Sequence, residues 1–187
     1  MANGLTKLTV QEATNQIAQR KSIRVTPTVV AGETADNDVM FNTTEIPNAV
    51  SSRGGVSKLT AVTIIDKDGE QVDMDIILMQ VSTRFGVADA ASDITDANLQ
   101  TAKVLGSFMV DWSDHHVTFA QDSGNATIWT SGGFAGAGNN GTSFPLLVQA
   151  AGGSTSIYFT AIVNDSANAD YAATDDLEFV FHFEYLG

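Results

Sequence analysis

Asp175-Asp176-Leu177-Glu178-Phe179-Val180-Phe181-His182-Phe183-Glu184-Tyr185-Leu186 alternates with a period of two. Odd positions from 177 to 185 read Leu, Phe, Phe, Phe, Tyr, and even positions from 178 to 186 read Glu, Val, His, Glu, Leu. Successive side chains of a strand point to opposite faces, so the segment is an aromatic wall with a half-polar back. A helix would not gather those four rings on one side. An apolar face of this size has to lie against a second layer. The back, with His182 between Glu178 and Glu184 and with Val180 and Leu186 beside them, suits a subunit contact.

Outward from this strand, Thr155–Val163 is apolar on both faces, which predicts a central strand covered on both sides and a neighbour for the closing strand. Ser57–Ile65 and Gln71–Met79 flank Asp66-Lys67-Asp68-Gly69-Glu70, and an Asp-Gly turn between alternating runs predicts a β-hairpin. Val72, Met74, Ile76 and Leu78 share one face of its second strand. Ile23–Val30 alternates, but Pro27 lacks an N–H, so it reads as an edge or bent strand. Residues 32–38 and 164–174 read as polar loops, and Val39–Phe41 and Thr44–Val50 as short strands. Val104–Trp112 is a strand with a bulge or bend at Gly106, followed by short strands Val117–Ala120 and Asn125–Thr130 and by a Gly-rich loop over 131–140. Ser143–Ala150 is a strand marked by Pro145.

Helical signals are few. Thr9 with Glu12 three residues on forms a capping-box pattern, and Val10, Ala13, Ile17 and Ala18 fall near helical spacing. Ser92–Lys103 suits a short surface helix anchored by Ile94 and Leu99. Short strands with frequent turns and two minor helices define an all-β chain, an antiparallel β-sandwich or barrel. The expected organisation is an arm with a short helix over residues 1–22 and a single sandwich domain over 23–187.

Charge is unevenly placed. The net charge is −13, and all nine Lys and Arg lie at or before Lys103. Lys7, Arg20, Lys21 and Arg24 make the N-terminal arm the one basic patch. Such an acidic excess argues against nucleic acid, whose binding needs clustered cations. No apolar run approaches the roughly 20 residues of a membrane span, and no apolar leader is legible near Met1, so a soluble chain made in a cytoplasm is expected. With no Cys, disulfide and thiolate chemistry are absent.

Three stretches invite chemical readings. Asp66–Glu70 has alternate carboxylates and a Gly, but its Gly is fourth and its flanks are strands, unlike a helix-flanked calcium loop. Asp114-His115-His116 offers two imidazoles that point apart on an extended chain, with His182 as a distant third. The Gly-rich loop lacks the Lys and the following helix of a phosphate loop. No nucleophile elbow is present. The residues therefore predict no catalytic site, metal or cofactor. Trp112, beside a strand end, and Tyr171, in a polar loop, are candidate platforms for a glycan.

The run Ile46–Val50 into Gly54–Asp66, then Asp73–Leu78, and the closing Asp175–Phe181, in a Cys-free acidic chain rich in Gly, Ala, Asn and Thr, resembles the virion proteins of tailed phages. The likeness is to capsid decoration or minor virion proteins with a jelly-roll-like sandwich. It implies a non-enzymatic structural role on the capsid surface of a virion, with the chain made in a host cytoplasm. It also implies a homo-oligomer, a trimer by preference, bound to the major capsid protein. The basic arm, with Lys7, Arg20, Lys21 and Arg24, would then be the shell contact. The alternative is a glycan- or host-surface-binding fibre or knob module, with Trp112 and Tyr171 as its platform.

Overall fold

A computed structural model describes residues 19–113, 116–121, 124–131, 144–165 and 168–186. The expected helical arm up to residue 18, with Lys7, and Asp114, His115 and residues 132–140 of the Gly-rich loop lie outside the described residues.

The closing strand is β12 (Leu177–Leu186), and its odd-numbered wall is buried from Leu177 to Phe183. On one side it pairs antiparallel with β1 (Arg20–Val25), and on the other with β4 (Val56–Asp66). β4 continues the sheet to β8 (Gly124–Ser131), then to the edge strand β7 (His116–Gln121). β9 (Leu146–Gln149) pairs with the first half of β4 beside β8, which completes a six-stranded sheet.

The second sheet has the order β3-β10-β5-β6: β3 (Val39–Ile46), β10 (Ile157–Val163), β5 (Met74–Met79) and β6 (Val104–Val110). Among the described residues, a two-stranded ladder of β2 (Gly32–Thr34) and β11 (Ala169–Tyr171) accompanies these sheets. The chain crosses between the two main sheets at most of its connections. With β9 set beside β8, the orders β1-β12-β4-β8 and β3-β10-β5-β6 form the strand arrangement of a jelly roll, two interlocked Greek keys. The antiparallel sandwich expected from the sequence is therefore the observed fold.

The core lies between the sheets. Phe159 of β10 meets Phe41, Phe179 and Phe181 edge-on, with centroids 5.2, 5.1 and 4.9 Å away. Phe179, Phe181 and Phe183 stack along β12. Val72, Met74, Ile76 and Leu78 are buried on one face, as the alternation predicts.

Several local expectations change. Ser57–Ile65 and Gln71–Met79 do not form a hairpin: β4 belongs to the six-stranded sheet and β5 to the four-stranded one, so Asp66–Glu70 bridges the layers. The alternation that suggests a hairpin equally suits an arch whose strands pair elsewhere. Likewise, 155–163 is a central strand, but it faces β12 across the core instead of pairing with it. Its outer side is covered too, because Tyr158 and Ile77 pack against a small cluster of Met79, Phe85 and Ala102.

The surface helix is α1 (Asp96–Ala102), capped by the Thr95 hydroxyl, which accepts from Asn98 N–H at 3.2 Å. Ile94 packs beneath it, but Leu99 is 46% exposed and Ala102 is the buried contact. The loops 32–38 and 164–174 are not wholly loops, since each contributes a strand of the two-stranded ladder. β1 begins at Arg20, so residues 20–22 of the expected helical arm are extended strand.

Candidate functional site

The basic residues of the expected arm fall on an edge of the larger sheet. Arg20, Lys21 and Arg24 are exposed on β1, while Ile23 between them is buried against the core. Alternation explains most of the split: Ile23 pairs with Phe181 of the aromatic wall, whereas Arg20, Ser22 and Arg24 pair with Glu184, His182 and Val180 of the back. Lys21 pairs with Phe183, on the side of the wall, and is exposed near the start of the strand.

A β-bulge shapes the back beside this edge. Ala61 pairs with His182 and Leu59 with Phe183, so Thr60 is the extra residue in β4. Bulges re-aim side chains, and here the Thr60 hydroxyl donates to the His182 carbonyl at 2.9 Å. The result is a shallow groove of about 490 Å³ lined by Arg20, Lys21, Ser22, Thr60, Thr130 and His182. The imidazole is held on both nitrogens: Nδ1 is 2.8 Å from the Ser22 hydroxyl and Nε2 is 3.4 Å from that of Thr63.

Two nearby cations are already paired. Arg24 Nη1 lies 2.8 Å from Glu178 Oε1, and Lys58 Nζ lies 3.4 Å from Glu184 Oε1. Arg20 and Lys21 form no salt bridge among the described residues. The groove therefore offers two cations without a salt bridge among the described residues, beside hydroxyls already bonded to His182 and Thr63, and the cations suit carboxylate or other anionic groups.

The opposite end of the sheet is acidic. Asp66 is buried, and its carboxylate accepts N–H donors from Asp68 at 3.1 Å, Gly69 at 2.8 Å and Gln71 at 2.8 Å. Burial pushes its pKa up against the pull of those donors. Asp68 accepts from Ala172 N–H, Glu70 from Asp170 N–H, and Asp176 from Ala173 N–H. Asp68 and Glu70 thus tie the arch to β11 and the loop after it, and Asp176 closes a turn within that loop. Among the described residues, no group of three or more His, Asp or Glu is arranged to hold a metal ion. Gly69 adopts a positive φ of 74°, and a Cβ there would stand 2.6 Å from the Asn125 carbonyl oxygen, so Gly is the residue this turn accepts.

Neither aromatic platform is available to a glycan. Trp112 is 2% exposed, and its indole N–H donates to the Val72 carbonyl at 2.8 Å. Tyr171 is 1% exposed and belongs to the main core. A strand-end Trp and a loop Tyr look exposed in sequence, but here both rings fill the end of the sandwich. His116 and His182 are not brought together either. β4 and β8 lie between their strands, which sets the strands about 14 Å apart at ordinary spacing, and the register puts His116 level with Phe179, three residues along β12 from His182. The groove itself was not legible in the sequence, because it depends on a bulge and on which strand β1 joins.

No protein-family model and no curated protein matches the chain. Among solved structures, it is similar to the structure of infectious bursal disease virus Gx strain, at 11% identity and a TM-score of 0.16. The match covers 91% of this chain and 38% of that one. At that score the likeness carries no argument about fold or function.

Proposed function

We propose that this chain is a non-enzymatic structural virion protein, a decoration protein that attaches as a homo-oligomer to the outside of a viral shell. A jelly roll alone does not carry this reading, because lectins and cupins share it. The carrying observation is the polarity of charge along the larger sheet. Arg20, Lys21, Arg53 and Lys58, with Glu184 among them, lie toward the end where β1 begins and β12 finishes, whereas Asp66, Asp68, Glu70, Asp170, Asp175 and Asp176, with Lys67 as their one cation among the described residues, gather at the other end. A chain of net charge −13 with one basic edge approaches a locally acidic partner in one orientation.

In this reading the β1 edge and its groove meet acidic side chains of the major capsid protein. Each contact is small, and its repetition across an oligomer supplies the avidity. Nucleic acid and membrane play no part. Cosedimentation with shells stripped of this protein tests the reading. The wild-type chain is expected to pellet with the shells, while Arg20→Glu with Lys21→Glu lowers its affinity about tenfold or more. Wild-type protein left in the supernatant, or a charge-reversed variant that binds equally well, overturns the reading.

A further inference from the structure

The larger sheet ends on β7, and nothing among the described residues protects that edge. All six residues of His116–Gln121 are exposed, Val117 to 57% and Phe119 to 48%. Natural sheets blunt their edges with Lys, Pro, bulges or a covering segment. β7 contains neither Lys nor Pro, and its register with β8 runs from His116↔Trp129 to Gln121↔Gly124 without a shift. The opposite edge, β1, carries Arg20, Lys21 and Arg24.

Alternation puts Val117 and Phe119 on the outer face, beside Ile128 and Ala126 of β8, with Ile65 of β4 next to Ile128. An apolar stripe thus crosses the outside of the sheet and runs out at its open edge. Charge selects the occupant. The chain carries 22 acidic residues against nine basic ones, so most approaches of one copy to another bring like charges together. β7 and β8 hold no acidic or basic residue apart from His116, so along the two strands copies meet with less of that repulsion than elsewhere, although Asp114 and Asp122 flank β7 in the sequence.

We propose that β7 pairs antiparallel with β7 of a second copy about a two-fold axis, joining the two larger sheets into one. Residues paired across strands share a face, so the axis has to pass through a residue. Centred on Thr118, it sets Val117 against Phe119 of the second copy at both ends, an aromatic pair with a β-branched partner. The contact leaves β1 and its groove free, so it stands or falls independently of shell binding. It also departs from the three-fold assembly that the resemblance to decoration proteins implies.

Native mass measurement at micromolar concentration tests the contact. Wild-type protein is expected at the mass of two chains. Val117→Lys and Phe119→Asp each weaken self-association by about tenfold or more, while circular dichroism stays that of the wild type because both sites are exposed. Mixing the two variants restores pairing, because the register sets the introduced lysine of one chain opposite the introduced aspartate of the other. A wild-type protein that is monomeric or three-fold overturns the proposal, as do variants that keep the mass of two chains, or a mixture that fails to pair.

Discussion

Tyr171 carries a hydroxyl that its surroundings do not use. The ring is buried, the oxygen has no hydrogen-bond partner among the described residues, and burial together with Asp66, Glu70, Asp68 and Asp176 pushes its pKa well above the ordinary 10.0. An unpartnered buried hydroxyl costs about 1–3 kcal/mol. Tyr171→Phe is therefore expected to leave stability unchanged or to raise it by about 1 kcal/mol in urea unfolding, and a loss of stability would mean that the hydroxyl has a partner. Asp66 is the opposite case. Its two oxygens satisfy three backbone donors that the arch turns inward. Asp66→Ala strands all three and is expected to cost about 3 kcal/mol or more. Asp66→Asn keeps an acceptor and should cost less in the same measurement.

At the scale of elements, β12 and β10 carry the fold by facing each other. Phe159 touches three rings from two other strands, so Phe159→Ala opens a cavity that no single neighbour can fill. A loss of about 3–5 kcal/mol is expected from chemical denaturation, and a loss below about 1 kcal/mol would show that the cluster repacks. The aromatic alternation of β12 was legible in the sequence because one face of ten consecutive residues is buried. Its partners were not, because local alternation states which face is apolar and not which strand lies alongside. The Asp66–Glu70 arch makes the same point. Two alternating runs around an Asp-Gly turn are compatible with one ladder or with two, and here β12 and β10 each claim one of the runs.

For the whole molecule, pH reads out the cost of the buried acids. Asp66, Glu70, Asp73 and Asp75 all have pKa values raised from 3.8 for Asp and 4.5 for Glu, in each case chiefly by burial. The folded chain therefore holds these protons more tightly than the unfolded chain. The resulting stabilisation is full below the ordinary values and is lost as pH rises through the raised ones. Relief of the −13 net charge acts in the same direction. The thermal midpoint is expected to be higher at about pH 5 than at neutral pH, and a midpoint that falls on this acidification contradicts the assignment.

The sequence by itself determined the class of fold, one dominant strand, the central position of 155–163 and the acidic character of the body. Each of these follows from periodicity or composition, which act within a few residues or over the whole chain. Tertiary structure alone decided that the strands order as a jelly roll and that Trp112 and Tyr171 are core. It also decided that Arg20, Lys21 and Arg24 line a sheet edge and that β7 has no further strand beside it among the described residues. These outcomes depend on which distant ladders form, and pairing partners are chosen by the fit of whole faces, to which a single strand contributes only half.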